Sequence, residues 1–337
     1  MAPVTGALKP TAGLAALMAG VVLAGLASLA LGSLSIPLGD VVGAFTGFDD
    51  SDAQVIVRDV RGPRTLVALA VGACLGAAGA VGQGMTRNPL ADPGILGISA
   101  GASFFVVAAI FVLGISTAIG FVWFAFLGAV VSGFAVYVLG AAGPGARAAP
   151  INLALAGAAV AALFAALTSA VIVADAQTLN EFRFWVVGSV AGRDLDTLAV
   201  AGPFMAIGLL GALLAGRALN ALALGEDVAQ ALGQRVARTR AALVASFVLL
   251  SGGAVAVAGP IAFVGLIVPH IARGVVGADY RWVVPYSILI GAILIMVADV
   301  VGRLVARPDE VQVGIVMAVL GVPVFIALVR RRKLAEL

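Results

Sequence analysis

The sequence has few charged residues, and this scarcity is its first informative feature. Only 11% of its 337 residues are charged, against about 25% in soluble domains. It has one cysteine, Cys74, and one histidine, His270, so this chain alone provides neither a disulfide framework nor a multi-histidine metal site. Its two lysines, Lys9 and Lys333, lie outside any Gly-Lys-Ser/Thr sequence, which excludes a phosphate-binding loop of the ATPase kind. These absences exclude a soluble enzyme.

Apolar residues are abundant instead, since 62% of the chain is hydrophobic and the mean hydropathy is +1.15. A helix needs about 20 apolar residues to cross a bilayer, and the windows between ionisable residues accommodate about ten such helices. The sequence therefore predicts an all-α polytopic membrane protein with a single transmembrane domain over residues 1–337. The first span is longer than the apolar part of a secretory signal peptide, and we expect it to be retained. The predicted spans lie near residues 11–34, 65–86, 93–113, 119–140, 149–173, 196–217, 240–258, 261–272, 282–304 and 311–329.

Basic residues predict the orientation of these spans, because cytoplasmic loops carry an excess of Lys and Arg. With both termini in the cytoplasm, 13 of the 20 basic residues fall on the inner side and seven on the outer side. We therefore expect a multi-pass protein of the cytoplasmic (inner) membrane with both termini cytoplasmic. The seven predicted outer residues are Arg58, Arg61, Arg64, Arg183, Arg193, Arg303 and Arg307.

Small residues predict close packing between the helices. The chain has 43 glycines, which let helix backbones approach one another in a membrane, and Gly97 and Gly101 form such a face at the start of the third span. Leu66–Gly82 aligned with Leu243–Gly259 gives seven identities in 17 positions, and the two segments run in opposite directions in the predicted topology. This is the pattern of an inverted-topology repeat, although chance matching in an Ala/Gly/Val-rich sequence accounts for it equally well.

The loop between the second and third spans has an unusual composition. Pro89 and Pro93 lie within five residues and exclude a continuous helix. Asn88 and Asp92 can accept hydrogen bonds from the freed backbone N–H groups, and Asp92 is a candidate cap for the next helix. For the individual residues, a structural loop with a capped helix explains the pattern.

The segment 222–233 predicts a short amphipathic helix on the cytoplasmic side. Two acidic residues begin it, which suits the positive end of a helix, and Gly233 ends it. Val228, Ala231 and Leu232 form an apolar face. The composition leaves two interpretations open, a helix on the membrane surface and a helix that docks onto a soluble partner.

Two further segments carry candidate residues. Pro260 and Pro269 bracket a short apolar helix that ends near His270, and a lone histidine is more commonly structural than a ligand or a proton carrier. Asp299 and Arg303 lie four residues apart in the ninth span. Charges inside a membrane are functional candidates, and the alternative is a local ion pair that lowers the cost of inserting both residues.

Seven motifs together resemble the FecCD family, the permeases of binding-protein-dependent ABC importers for ferric siderophores, haem and vitamin B12. The resemblance covers nearly the whole chain, and the segments 235–239 and 276–282 look most like the ferric enterobactin permease subunits. The run Glu310-Val-Gln-Val-Gly314 departs from the Glu-Leu-Pro-(Val/Ile)-Gly of the family, and Met317 stands where the family has a threonine. The motifs, in chain order, are Arg61–Arg64, Asn88–Ala102, Phe182–Ser189, Leu222–Gly233, Gly259–Arg273, Ala298–Arg303 and Gly321–Phe325.

The resemblance implies a type II ABC importer permease fold with ten helices per subunit. It implies a second permease of the same type, either a homologue or a copy of this chain, two ATPase subunits and an extracytoplasmic substrate-binding protein. It implies no catalytic residue, metal or cofactor in this chain, with ATP and Mg bound by the ATPase. The implied substrate is a ferric siderophore, most like the catecholate enterobactin, with haem and vitamin B12 as alternatives.

The resemblance also implies three groups of site residues. The residues implied to dock the binding protein, whose carboxylates an arginine fork can pair, are Arg61, Arg64 and Arg303. The implied coupling helix, which docks onto the ATPase, includes Leu222, Leu224, Gly225, Glu226, Asp227, Gln230, Leu232 and Gly233. The family motif positions are Asn88, Pro89, Asp92, Pro93, Gly97, Gly101, Pro260, Gly265, Pro269 and His270.

An ion-coupled secondary transporter is the competing hypothesis. Such a protein needs buried carboxylates or histidines near the bilayer midplane as an ion relay. Only Asp299 and His270 are available, and both fall toward the ends of their segments. A structural membrane scaffold, the third possibility, does not explain the docking motifs. The sequence therefore favours an ATP-driven importer.

Overall fold

The computed structural model describes residues 10–94, 97–141 and 150–335, and the regular structure in these ranges is helical. A π-helical segment, Ile56–Arg61, joins α3 to α4. The helices are α1 Pro10–Ala30, α2 Leu38–Thr46, α3 Asp52–Val55, α4 Gly62–Thr86, α5 Ile98–Leu113, α6 Ala118–Ala141, α7 Pro150–Ala174, α8 Ala176–Val186, α9 Leu195–Leu214, α10 Gly216–Ala223, α11 Glu226–Ala231, α12 Val236–Ala258, α13 Val264–Val276, α14 Tyr280–Val305 and α15 Val313–Ala335.

The predicted all-α membrane fold is confirmed. The ten predicted spans fall, in order, on α1, α4, α5, α6, α7, α9, α12, α13, α14 and α15, and the sixth also includes the first two residues of α10. Within the described residues, seven helices are long and apolar enough to cross a membrane, with the continuous stretch Asp52–Thr86 counted as one. The helices α5, α13 and the Val313–Leu328 part of α15 are apolar but shorter.

Several predicted boundaries are wrong, for reasons that lie in the loop backbone. The third span begins at Ile98 instead of 93, because Gly97 takes a left-handed conformation with φ of 79° at the start of α5. The eighth begins at Val264 instead of 261, after Phe263 with φ of 69°, and it continues to Val276. Pro269 therefore lies inside α13 and does not end it. The first span ends at Ala30 instead of 34.

The helix α4 is the centre of the bundle, and 83% of its most apolar window is buried inside the chain. Its glycines lie where other backbones approach it. A Cβ on Gly72 would lie 2.3 Å from the carbonyl oxygen of Gly291 in α14, and one on Gly79 would lie 2.2 Å from that of Gly265 in α13. The predicted close packing through small residues is thus present along this helix.

The helix α12 is the second most buried span, with 72% of its window inside the chain. It contacts α4 where Gly82 faces Phe247, since a Cβ on this glycine would lie 2.8 Å from the phenyl ring. The two segments of the internal sequence match, Leu66–Gly82 and Leu243–Gly259, are therefore the cores of the two most buried spans. An inverted relation between them stays a prediction. By contrast, only 17% of the window in α1 and 22% in α7 is buried.

Aspartate side chains cap the N-terminal ends of two helices, the short α8 and the membrane-length α9. The helix α8 begins at Asp175, whose side chain accepts a hydrogen bond of 2.7 Å from the backbone N–H of Thr178. The helix α9 begins in the same way at Asp194, which accepts a bond of 2.8 Å from Thr197 N–H. These carboxylates satisfy N–H groups that have no partner within the helix.

Candidate functional site

An arginine–carboxylate cluster, composed of Arg64, Asp299, Arg303 and Glu310, lies at the N-terminal end of α4. Arg64 donates from Nη2 and Nε to Asp299, at 2.8 Å and 3.0 Å, and from Nη1 to Glu310 at 2.7 Å. Arg303 Nη2 lies 3.0 Å from Asp299 Oδ2, so the predicted i,i+4 ion pair is present. Arg64, Asp299 and Arg303 are buried, with 8%, 1% and 2% of their surface exposed. One buried carboxylate thus compensates two buried guanidinium groups, with Glu310 as a second acceptor.

Three arginines bind the C-terminal end of α1, where backbone carbonyls lack partners within the helix. Arg303 Nη1 donates to the carbonyls of Ser28 at 2.9 Å and Leu31 at 3.0 Å. Arg61 Nη1 donates to the carbonyl of Leu29 at 2.8 Å, and its Nη2 donates to that of Leu34. Arg307 Nη2 donates to the carbonyl of Gly32 at 2.6 Å. Guanidinium groups also suit the negative end of the helix dipole, so this set secures α1 to α14 and to the start of α4.

The structure places Arg61, Arg64 and Arg303 below the surface of this chain, and their docking role stays a prediction. All three are buried, Arg61 with 5% exposure, and each donates hydrogen bonds to groups of this chain. The most accessible bond is that between Arg64 and Glu310, because 33% of the Glu310 side chain is exposed. The local pair of Asp299 and Arg303 was visible in the sequence, and Arg307 was assigned to the same side. Nothing in the sequence signalled that Glu310 pairs with Arg64.

The same cluster argues against an ion relay. The carboxylate of Asp299 is already occupied, because it lies within 3.0 Å of the guanidinium groups of Arg64 and Arg303. His270, the other candidate, lies on an exposed position of α13.

The predicted coupling segment 222–233 forms two short helices instead of one. Leu222 belongs to α10 and is buried, with 3% exposure. The helix is interrupted at Gly225, whose φ is 111°. The helix α11 then spans Glu226–Ala231 and is followed by Gly233, whose φ is 83°. Gly233 therefore ends the helix as predicted, because glycine adopts the left-handed conformation at little cost.

An apolar stripe, composed of Leu224, Val228 and Leu232, lies exposed on this segment. Its members are spaced by four residues and are 67%, 43% and 64% exposed. This spacing places Val228 and Leu232 on one face of α11 and its C-terminal cap. Leu224 precedes the turn at Gly225, at the end of α10. Val228 and Leu232 belong to the apolar face predicted from the sequence, and its third member, Ala231, is exposed as well. Leu224 was not part of that predicted face.

The opposite face of α11 is anchored to the bundle. Ala229 is completely buried, and Glu226 Oε1 accepts a bond of 2.7 Å from Arg240 Nη2 on α12. The side chains of Arg240 and Glu226 are only 6% and 15% exposed. Glu226 thus holds α11 in place, while the neighbouring Asp227 is exposed. The contact to Arg240 was not predicted from the sequence.

The loop between α4 and α5 contains hydrogen bonds within its own turns. Asn88 Oδ1 accepts from Leu90 N–H at 3.0 Å, and Asp92 Oδ1 accepts from Gly94 N–H at 2.9 Å. Asp92 therefore does not cap α5, which begins after Gly97. Pro93 and Asp92 face Gly265 at the start of α13, where an added Cβ would lie 2.7 Å from Pro93 Cδ and 3.0 Å from Asp92 Oδ2.

The predicted glycine face on α5 is present. A Cβ on Gly101 would lie 2.6 Å from the carbonyl oxygen of Gly128 in α6, and one on Gly97 would lie 3.0 Å from that of Gly157 in α7. The carbonyl of Gly97 also accepts a bond of 2.7 Å from Ser132 Oγ. These family motif positions therefore pack α5 against its neighbours.

A second contact between loops lies around Pro260. A Cβ on Gly188 would lie 2.3 Å from the carbonyl oxygen of Pro260, and Ser189 N–H donates to the carbonyl of Ala258 at 2.7 Å. Gly314 N–H donates to the carbonyl of Gly188 at 3.0 Å. The segment after α8 is thus bound by backbone contacts to the loops before α13 and α15.

Comparison with known proteins supports a transport role for this arrangement. A family model described as the FecCD transport family matches residues 20–331. The chain is 46% identical over 305 residues to the Probable siderophore transport system permease protein YfiZ of Bacillus subtilis (strain 168), covering 90% of this chain and 91% of that protein. It is 45% identical over 305 residues to the Ferric enterobactin transport system permease protein FepD of Escherichia coli (strain K12), with the same shares covered.

The fold also matches a solved structure. An inward-facing conformation of a metal-chelate type ABC transporter superposes with a TM-score of 0.82 at 29% sequence identity, covering 96% of this chain and 99% of that one.

Proposed function

The chain belongs to the FecCD transport family, and from this membership we propose that it moves a ferric siderophore of the catecholate type into the cytoplasm. It is a multi-span permease subunit of an ABC importer, whose ATPase is a separate chain, and it is not itself an enzyme. The observation that carries the substrate proposal is the 46% and 45% identity to two permeases whose names specify siderophore and ferric enterobactin transport.

The proposed assembly contains two permeases, two ATPase subunits and an extracytoplasmic binding protein. The second permease is a homologue or a copy of this chain. In the proposed orientation both termini are cytoplasmic, which places the arginine–carboxylate cluster outside and the apolar stripe inside. The contacts support this orientation, because four arginines that the predicted topology assigns to the outer side lie close together. They are Arg61, Arg64, Arg303 and Arg307.

The apolar stripe is the proposed contact with the ATPase. Its three large side chains are exposed, while Ala229 and Glu226 anchor the same short helix to the bundle. A rigidly anchored apolar surface next to the bundle can transmit movement of the ATPase to the permease helices. The variant Leu232→Asp should therefore abolish co-purification of the ATPase without loss of the folded permease. Glu226→Arg is a poorer test, because it also removes the partner of the buried Arg240.

The arginine–carboxylate cluster is the proposed region of binding-protein docking. Because Arg61 and Arg303 are bound to the end of α1, Arg64 is the arginine best placed for exchange with a partner. A carboxylate of the binding protein can replace Glu310, the most exposed acceptor of the cluster, at Arg64 Nη1.

Transport by the purified complex tests this function. The permeases and ATPases are reconstituted in liposomes with the binding protein, and uptake of iron-55 is measured with ferric enterobactin. We expect this uptake to require ATP. Unlabelled ferric enterobactin should reduce it more strongly than ferric citrate, a ferric hydroxamate, haem or vitamin B12 does.

Two outcomes would contradict the proposal at different levels. Stronger competition by haem, vitamin B12 or a hydroxamate would refute the catecholate assignment and leave the importer role intact. Uptake driven by an ion gradient without the ATPase would refute the ATP-driven mechanism itself.

A further inference from the structure

A cavity of about 250 Å³ lies at the C-terminal end of α4, next to α10, α13 and α14. Two arginines and a glutamine contribute to its wall beside apolar groups. One water molecule occupies about 30 Å³ in the liquid, so the cavity has room for a small charged group. Its lining residues include Gln83, Arg87, Pro89, Ala223, Arg273 and Tyr280.

A buried glutamine positions one of these arginines. Gln83 is 2% exposed, and its Nε2 donates to the carbonyl of Gly265 at 2.9 Å. This bond orients the amide so that its Oε1 accepts from Arg273 Nη2. A guanidinium has five N–H donors in a rigid fork, so the bond to Gln83 fixes Arg273 and leaves other donors available. Arg87 follows the last residue of α4 and is exposed.

No carboxylate of the described residues forms an ion pair with either arginine of the cavity. Asp279 is the carboxylate next to the lining residue Tyr280 in the sequence, but its side chain already accepts hydrogen bonds from other residues. It accepts from Arg281 Nη2 at 2.7 Å and from Asn220 Nδ2 at 2.6 Å. The bonds from Arg281 hold the pKa of Asp279 well below its usual range. The cavity therefore concentrates positive charge.

The cavity adjoins the apolar stripe. Ala223 lines the cavity, and the next residue is Leu224, the first member of the stripe. Asn220 fixes α10 to the start of α14, because its Oδ1 accepts from Tyr280 N–H at 2.8 Å while its Nδ2 binds Asp279. The apolar stripe and the basic cavity thus adjoin at two consecutive residues, Ala223 and Leu224.

We propose that this cavity receives a carboxylate side chain of the ATPase, which pairs with Arg87 and Arg273 while the apolar stripe binds the same subunit. The proposal rests on the proposed function, since it adds a charged contact to the apolar one. Its chemistry is that of arginine forks, which bind carboxylates with two parallel hydrogen bonds. The position of the cavity beside the stripe favours a carboxylate of the docked protein over a lipid phosphate.

Zero-length cross-linking tests the contact directly. A carbodiimide joins a lysine amine only to a carboxylate in direct contact with it, and this chain has only two lysines, Lys9 and Lys333. In the purified complex, Arg87→Lys should give a new cross-link between this chain and a Glu or Asp of the ATPase, identified by mass spectrometry. The matched control is Arg217→Lys, an exposed position on α10 outside the cavity lining, which should give none at that carboxylate.

Affinity provides the second measurement. The purified ATPase is titrated onto the permease in nanodiscs at low and at high salt. Arg87→Glu should weaken binding by about tenfold at low salt and by less at high salt, because exposed charge pairs are screened. Arg273→Gln should also weaken it. Arg58→Glu, which changes an exposed arginine near the opposite end of α4, should leave the affinity unchanged.

The outcomes distinguish this inference from the proposed function. If Leu232→Asp abolishes ATPase binding but Arg87→Glu does not weaken it and no cross-link forms, the charged contact is refuted while the docking role of the stripe stands. If native mass spectrometry finds an anionic phospholipid that Arg87→Glu releases, the cavity is a lipid site and the proposal is wrong. If the wild-type chain binds no ATPase, both proposals fail together.

Discussion

At the N-terminal end of α4, Arg64 is bound to two carboxylates, whereas at its C-terminal end Arg87 and Arg273 share a cavity without an ion-paired carboxylate among the described residues. The two ends are separated by about 37 Å along the helix, from 25 residues at a rise of about 1.5 Å each. Arginine therefore serves two purposes in one helix. A buried and fully paired arginine stabilises the fold, and a partly accessible arginine without a carboxylate is available to a partner.

The largest expected effect comes from removal of the shared carboxylate. Asp299→Ala leaves Arg64 and Arg303 buried without the carboxylate that they share, and breaking a buried pair in this way costs about 3–5 kcal/mol of stability. Thermal melting of the purified protein in detergent measures it. The control is Glu310→Ala, which should cost less than about 1 kcal/mol because its carboxylate is partly exposed. Equal losses in the two variants would contradict the structural role of Asp299.

The features that follow from local sequence were predictable. The spans were found because a stretch of apolar residues must form a helix in lipid, and the pair of Asp299 and Arg303 was found because residues four apart on a helix are neighbours. The glycine face of Gly97 and Gly101 follows from the same spacing. The short helices α2, α8 and α10 were missed, because none contains the long apolar stretch that identifies a span.

The features that depend on distant parts of the chain were not predictable. Arg64 and Asp299 are 235 positions apart, and Gln83 and Arg273 are 190 apart. No periodicity in a single sequence reports such a pairing. The sequence therefore identifies Arg61, Arg64 and Arg303 as candidate docking residues without showing their acceptors. Arg61 and Arg303 donate to carbonyls at the end of α1, whereas Arg64 donates to Asp299 and Glu310.

The contact between the middle of α4 and the start of α13 offers the next test, because it supports the orientation of the cavity arginines. Gly79→Ala would place a Cβ 2.2 Å from the carbonyl oxygen of Gly265, which is backbone and cannot move away like a flexible side chain. Overpacking of this kind costs about 1–3 kcal/mol. Gly202→Ala in α9 is the control, since its Cβ would contact nothing within 4 Å and should change stability by less than about 0.5 kcal/mol.

Destabilisation of both variants alike would contradict close backbone packing at Gly79. If only Gly79→Ala loses stability, its effect on ATPase affinity then reports whether the cavity depends on this contact, because Gln83 binds the carbonyl of the same Gly265.

Asp92 provides a pH-dependent test near the C-terminal end of α4. Burial raises the pKa of this carboxyl from 3.8 to about 6. Because the folded state holds the proton more tightly than the unfolded state, stability should fall as the pH rises from 4 to 6 and change little above 6. The variant Asp92→Asn has no carboxyl group at this position and should not lose stability over this pH range.

The measurement is the difference in stability between Asp92→Asn and the wild type across this range. It should grow in favour of the variant by about 2 kcal/mol between pH 4 and pH 7. A pH-independent difference would show that Asp92 is ionised in the folded protein throughout this range. The two ends of α4 would then both hold a buried, ionised carboxylate.

The smallest expected effect concerns exchange at Arg64. Glu310→Gln removes the carboxylate that competes with the binding protein for Arg64 Nη1, so docking should become about two- to fivefold tighter at low salt, with a smaller gain at high salt. Surface plasmon resonance on the permease complex in nanodiscs measures this. Asp309→Asn is the matched control, because it changes the net charge equally at an exposed neighbouring position. A larger gain for Glu310→Gln indicates direct exchange at Arg64, whereas equal gains mean that only the overall charge of this end matters and that its arginines are structural.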